Sequence, residues 1–344
     1  MDDALNVDPD EWLRRILAIH FDPQGGAPYW LRRQRELGID VRAEIRTLAD
    51  LDRLGTMDAD TLRGRSVLEF VPRSRRGFLA GAILTETGGT TGRPQRTLFS
   101  PDEFRRAFVD PFVRVAQATD FPREALWLWA GPSGPHVIGQ AAAACAAALG
   151  SPQPLSIDFD PRWYRRLPHD SMARQRYLEH LIDQALDVLR TEPVSVLFTT
   201  PAMLQRLAHA MTDAQRRRIR GVHYGGMRVE PALLHAAQTD WFPQAVHLAG
   251  YGNSLFGLCM EFGGPADRTL RYYPLGPRHQ VRVGQDGHVY VTRLDPTVLL
   301  VRVRERDVAR PLPPPGAPWE GFGAGIEDPH PPDEQTATAA IGIY

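Results

Sequence analysis

The residues Thr85-Glu86-Thr87-Gly88-Gly89-Thr90-Thr91-Gly92-Arg93-Pro94 put three glycines and four threonines into ten positions. Glycine lets a backbone take positive φ and approach a ligand closely. Consecutive N–H groups and threonine hydroxyls can then cradle phosphate oxygens. A plain glycine-rich hairpin turn would use the same residues, so the loop alone leaves both readings open. Two phosphate-binding alternatives are excluded. The GxxxxGK[ST] spacing of a Walker loop is absent, and so is GxGxxG. The loop also joins a strand to a strand, whereas both of those loops open a helix.

The chain has no lysine; all 40 basic side chains are arginine. No step can therefore use a lysine ammonium or a lysine nucleophile. Positive charge toward a phosphate has to come from arginine, whose fork suits phosphate well. The two cysteines, Cys145 and Cys259, have no CxxC spacing and lie in apolar runs. They read as buried reduced thiols and not as a disulfide or a zinc site.

These residues need elements to hold them. Residues 1–65 are expected to be helical, with Trp12, Ile16 and Leu17 on one face and Trp30, Leu31 and Leu37 on another. Phe78–Leu84 and Gln95–Phe99 read as strands on either side of the Gly/Thr loop. Ser100-Pro101-Asp102-Glu103 opens a helix with serine at the N-cap and glutamate closing a capping box. Thr200-Pro201 opens another after the apolar strand Val194–Phe198. Residues 171–190 carry the clearest amphipathic pattern, and Gly287–Leu294 with Thr297–Arg304 reads as a hairpin. After Arg310 the chain turns Pro/Gly-rich and reads as a tail. The expected division is a helical segment 1–65, an α/β domain 66–310 with mixed sheets flanked by helices, and a tail 311–344.

With that framework in place, GGTTGRP resembles the phosphate loop of the adenylate-forming superfamily, which includes acyl-CoA ligases and peptide-synthetase adenylation domains. The resemblance runs over nearly the whole chain and is nearest to phenylacetate–CoA ligases and acyl-protein synthetases. The opening PYWLRRQRELGID is similar to that subfamily's N-terminal helices. Pro132–Gly139 is similar to the acyl-pocket segment, with His136 at its centre. LFTTPAMLQRL (197–207) is similar to the strand–helix unit before the adenine site. His223-Tyr224-Gly225-Gly226 resembles the glycine pair that packs on adenine, and Ala249-Gly250-Tyr251-Gly252-Asn253-Ser254 resembles YGxTE. Arg302–Asp307 sits where the family has RYRTGD.

The resemblance implies the fold of the family's large N-terminal domain, with no C-terminal lid domain. It implies nucleotide binding by Thr87, Gly88, Gly89, Thr90, Thr91, Gly92, Gly225, Gly226, Tyr251, Gly252, Asn253 and Asp307. Tyr251 would stack on adenine and Asp307 would accept from the ribose hydroxyls; the alternatives are a core tyrosine and an ordinary salt bridge. Ser254 stands for the threonine whose hydroxyl contacts phosphate. His136 either lines the acid pocket or simply starts a helix. Departures from the pattern are specific. Gln95 replaces the loop lysine, which leaves Arg96 or Arg93 as the cation. Leu255 replaces the magnesium-binding glutamate, with Glu261 as a weak substitute. His223 and His247 read as structural.

The implied function is ATP-dependent, AMP-forming activation of a small aromatic carboxylic acid. ATP and Mg2+ are the expected cofactors, and a partner enzyme or carrier protein is the expected acyl acceptor. The setting implied is secondary metabolism such as antibiotic biosynthesis. The alternatives are a protein that binds nucleotide or acyl-adenylate without activation, and one that reuses the pocket without ATP. Composition adds exclusions. Net charge is −1 over 344 residues, which gives no field for nucleic acid or anionic membrane. No apolar run reaches the ~18 residues of a membrane span, and a cytoplasmic protein is expected.

Overall fold

A computed structural model describes residues 7–87, 95–134, 136–263 and 269–332. Gly88–Pro94, and with them Gly88, Gly89, Thr90, Thr91 and Gly92 of the expected phosphate loop, lie outside the described residues. In chain order the strands are β1 (Ile83–Glu86), β2 (Arg96–Phe99), β3 (Trp127–Gly131), β4 (Leu155–Asp158), β5 (Val196–Thr199), β6 (Gly221–Gly225), β7 (Val246–Asn253), β8 (Gly257–Met260), β9 (Arg271–Pro274), β10 (His279–Val283), β11 (His288–Leu294), β12 (Leu299–Leu312) and β13 (Gly325–His330). Contacts divide the chain into two compact units. One contains the residues up to Ala107, Ser254–Gly257 and Tyr273–Pro329; the other contains Phe108–Asn253 and Leu258–Tyr272. The division does not follow the expected boundaries at 65 and 310.

The second unit is built on parallel strands in the order β4-β3-β5-β6-β7. β3 and β5 are buried along their whole length. That is the mark of parallel strands covered on both faces, and it explains why WLWAG and VLFT read as apolar runs without alternation. Each connection carries a helix: Val137–Ala148 between β3 and β4, Met172–Thr191 between β4 and β5, Pro201–Ala210 between β5 and β6, and Pro231–Ala236 between β6 and β7. The chain moves one way from β3 to β4 and the other way from β5 onward. The direction therefore switches between β3 and β5.

The first unit combines N-terminal helices with antiparallel strands. Helix Pro9–His20 is capped by Asp8, and helix Pro28–Leu37 ends at Gly38 in the left-handed region. Two tryptophans dock them, since Trp12 Nε1 donates to Leu294 O at 2.9 Å and Trp30 Nε1 to Leu299 O at 3.0 Å. β11 and β12 form the expected hairpin, closed by Leu294 opposite Leu299. β1 and β2 pair antiparallel, with Thr85 opposite Thr97 and Glu86 opposite Arg96. The Ser100/Glu103 capping box is present at helix Pro101–Phe104.

Two expectations change. Phe78–Leu84 is not a strand throughout: Arg73–Phe78 is a short helical turn, Gly81 has φ +73°, and pairing begins at Ile83. Residues 311–332, the described part of the expected tail, contain strand structure. β12 runs on to Leu312, β13 pairs beside it, and Phe322 and Ile326 are buried. Pro313–Pro315 and Pro318 lie between the strands, where a missing N–H costs no ladder bond, while Pro311 and Pro329 lie within β12 and β13. Among the described residues no helix is long and apolar enough to cross a membrane.

Candidate functional site

In the first unit the site is built at the neck of the Gly/Thr loop. Thr87 N donates to Gln95 O at 2.9 Å, and Gln95 N returns a bond to the Thr87 hydroxyl at 3.0 Å. The loop is thus held shut where it leaves β1 and enters β2. A second tie reaches across the sequence. The Thr85 hydroxyl donates to Ser254 O, and the Ser254 hydroxyl donates to Glu86 O, both at 3.0 Å. Ser254 therefore spends its proton on the loop's backbone. In this arrangement the Ser254 hydroxyl braces the end of β1. Arg96 is exposed and pairs with Glu86 at 2.8 Å, directly across the hairpin. Its charge is partly met before any ligand arrives.

Asp307 lies on β12, half-buried. Between the pairs Tyr290–Arg304 and His288–Val308, a single β11 residue faces the three residues Glu305, Arg306 and Asp307. A second bulge places Arg302 at φ +48°. Bulges bend a strand and re-aim its side chains, often beside ligand sites. Asp307 owes its placement to this interruption of the ladder.

In the second unit the site residues fall at the carboxyl ends of the parallel strands, where open α/β sheets bind ligands. Gly225 ends β6 and Gly226 follows at φ +80°. A Cβ on Gly225 would lie 2.7 Å from Gly250 O on the neighbouring strand. The glycine is required because the backbones approach so closely. Tyr251, Gly252 and Asn253 continue β7, each half-exposed, and the Tyr251 ring sits 5.8 Å from that of Tyr272. His136 is buried at the N-terminus of helix Val137–Ala148, and its side chain makes no helix-capping bond. It follows β3, at the switch between β3 and β5. Within β3 and β5, Trp129 and Phe198 meet edge-to-face at 4.8 Å, and a Cβ on Gly131 would sit 2.5 Å from the Trp129 indole.

His223 and His247 are structural. His223 Nδ1 bonds Leu248 O at 3.0 Å with its ring against Phe198 and Phe112. Burial pushes its pKa down to about 4, so it stays neutral. His247 Nε2 bonds Phe242 O, and burial lowers its pKa too.

Of the two positions read for magnesium, only Glu261 carries a carboxylate. Leu255 is buried, with its carbonyl taken by Arg293. Glu261 is buried and accepts from Gly263 N at 2.7 Å. Among the described residues no group of three or more His, Cys, Asp or Glu is placed to hold a metal ion.

Sequence reasoning missed the cluster beneath the loop neck. Arg278 grips Asp295 with two bonds of 2.8 and 2.6 Å, and Arg293 Nε adds a third of 2.6 Å. Burial alone would raise the Asp295 pKa, but the two guanidinium groups outweigh it and hold the carboxyl below its usual range. The available signal was an arginine and an aspartate inside the apolar strand pattern VTRLDPTVLL.

No protein-family model and no curated protein matches the sequence. Solved structures do match. A 2-hydroxyisobutyryl-CoA ligase in complex with 2-HIB-AMP and CoA, in the thioesterification state, aligns at TM-score 0.68 and 14% identity over 93% of this chain. The same ligase in an open conformation aligns at 0.67 and 13% identity, and with 2-HIB-AMP in the postadenylation state at 0.63 and 12%. The chain has the adenylate-forming fold. It spans 66% of the length of the first of these ligases and 72% of the second.

Proposed function

We propose that this adenylate-fold chain activates a small aromatic carboxylic acid at the expense of ATP. An oxygen of the acid's carboxylate attacks the α-phosphorus, and pyrophosphate leaves with the electron pair of the broken P–O bond. The acyl-adenylate then meets a nucleophile on an acceptor enzyme or carrier, and AMP departs. The observation that carries this reading is the double tie of Thr85 and Ser254. It joins the neck of the Gly/Thr loop to the residue that directly follows Tyr251-Gly252-Asn253. Within the first unit, loop N–H groups would take the phosphates and Asp307 the ribose; adenine stacking on Tyr251 is what the resemblance implies. Such chemistry rests on positioning and on donors aimed at developing charge. The aromatic acid is what the resemblance implies for the segment Pro132–Gly139. Leu255 has no side-chain oxygen to offer Mg2+. We place the reaction in the cytoplasm and in secondary metabolism such as antibiotic biosynthesis, where free aromatic acids are activated.

A second reading has its own observation. Ser254 spends its proton on Glu86, Arg96 pairs with Glu86 and Leu255 is buried. All three favour a protein that binds nucleotide or acyl-adenylate without activating an acid. ATP–pyrophosphate exchange over a panel of aromatic and aliphatic acids, with and without added acceptor proteins, separates the two. Acid-dependent exchange supports activation. Nucleotide binding with no exchange for any acid supports the second reading.

A further inference from the structure

The cluster of Arg278, Arg293 and Asp295 touches both segments that the nucleotide reading needs. Arg293 NH1 donates to the Thr97 hydroxyl at 3.1 Å and to Leu255 O at 3.0 Å, and NH2 donates to Leu98 O at 2.8 Å. Arg278 NH1 donates to Phe256 O at 3.0 Å. Thr97 and Leu98 belong to β2, the strand that leaves the loop. Leu255 and Phe256 follow Ser254. Asp295 binds both arginines, and Arg293 is fully buried with its guanidinium 3.6 Å over the Phe99 ring. Glu103 stands 3.9 Å from Arg293 and is itself fixed by Thr297 N at 2.9 Å. Two guanidinium groups thus face two carboxylates, so the buried charge balances.

We infer that Arg293, held by Asp295, is a positioning residue for the nucleotide site. It locks the loop's exit strand and the Ser254–Phe256 segment into one register. This rests on the nucleotide reading above for its purpose, but not for its geometry. A burial-driven contact would tolerate any apolar filler. The observed pattern needs one planar cation that serves three acceptors on two separate segments, which a lysine point charge cannot reproduce. Main-chain carbonyls are the targets, so the clamp fixes backbone and not merely side chains.

The test uses the full chain and three variants: Arg293→Lys, Thr97→Val and Thr97→Ser. Hydrogen exchange is followed in peptides covering residues 82–99 and 253–260, with the helix Met172–Thr191 as an internal reference. ATP binding is measured by calorimetry, and KM and kcat by pyrophosphate exchange. Thr97→Val removes one clamp bond while keeping shape. It should loosen both peptides together and weaken ATP by about 3- to 10-fold, the worth of one net hydrogen bond. The loss should appear in KM with kcat held, and Thr97→Ser should restore wild-type values. Arg293→Lys should do more of the same. If the two peptides exchange as in the wild type, or loosen independently, the clamp is overturned. A fall in kcat at unchanged KM overturns it as well. If Arg293→Lys does not fold, the Thr97 pair decides. If the wild type binds no ATP, the nucleotide reading fails, and the exchange data alone decide the clamp.

Discussion

Gly225→Ala is the sharpest test of the candidate residues in the second unit. The new Cβ would sit 2.7 Å from Gly250 O, where ordinary contact begins at 3.4 Å. Relief therefore needs at least about 0.3 Å of movement, and about 0.7 Å to reach ordinary contact. The obstacle is backbone, and Gly225 pairs with Gly250 in the parallel ladder, so no flexible side chain can absorb the shift. Overpacking of this kind costs about 1–3 kcal/mol. Part of that is lost stability, read by thermal melting. The rest should move Gly250 and the Tyr251 that follows it. ATP titration by calorimetry should then show weakening of up to about 100-fold, the binding equivalent of a little under 3 kcal/mol. A variant that melts and binds like the wild type would refute the claim that this close approach shapes the site.

Asp307→Ala should weaken ATP and AMP by about 1–3 kcal/mol, the cost of losing a charged hydrogen-bond partner; equal affinities by calorimetry would place the ribose elsewhere. Gly89→Val or Gly92→Val should abolish ATP binding while circular dichroism stays unchanged, since a branched side chain blocks close backbone approach; a folded variant with normal affinity would remove the loop from the site. Stability should fall as pH drops from about 6.5 toward 4. Burial lowers His20 and His223 to about 4 and His279 to about 3, each from an ordinary 6.5. Lowered values mean the unfolded chain takes the protons first, so the stabilisation is complete above 6.5 and drains below it. Denaturant midpoints that stay level between pH 7 and pH 5 would contradict this.

Local signals carried far in this chain. Ser100 and Glu103, three residues apart, announced a capping box that the structure contains. Apolar runs bounded by Thr-Pro and Ser-Pro starts gave β5 and the helices that follow. The Gly225–Gly226 pair was read from its resemblance to the family's glycine pair, and the structure shows that Gly225 has no room for a Cβ. What stayed hidden depends on partners far along the chain. Glu103 also binds Thr297, 194 positions away, and Trp12 docks on Leu294 O, 282 away. No local pattern records such pairings. Ser254 was read as a phosphate contact because its motif suggests one, yet its hydroxyl faces Glu86 O. The stretch after Arg310 was misjudged for another reason. Proline-rich composition describes the connections, while β13 is short and its buried Ile326 too isolated to show a period.

Arg278 and Arg293, at 5% and 0% exposure, carry a usable chemical signature. Dicarbonyl reagents attack guanidinium groups that water can reach. With no lysine in the chain, such reagents meet no side-chain amine that could compete. Surface arginines should label at once, and these two only when their surroundings open. Mass spectrometry of the residues 278 and 293 would then follow the breathing of this unit in time. Bound nucleotide should slow that labelling if the loop neck and the cluster open as one.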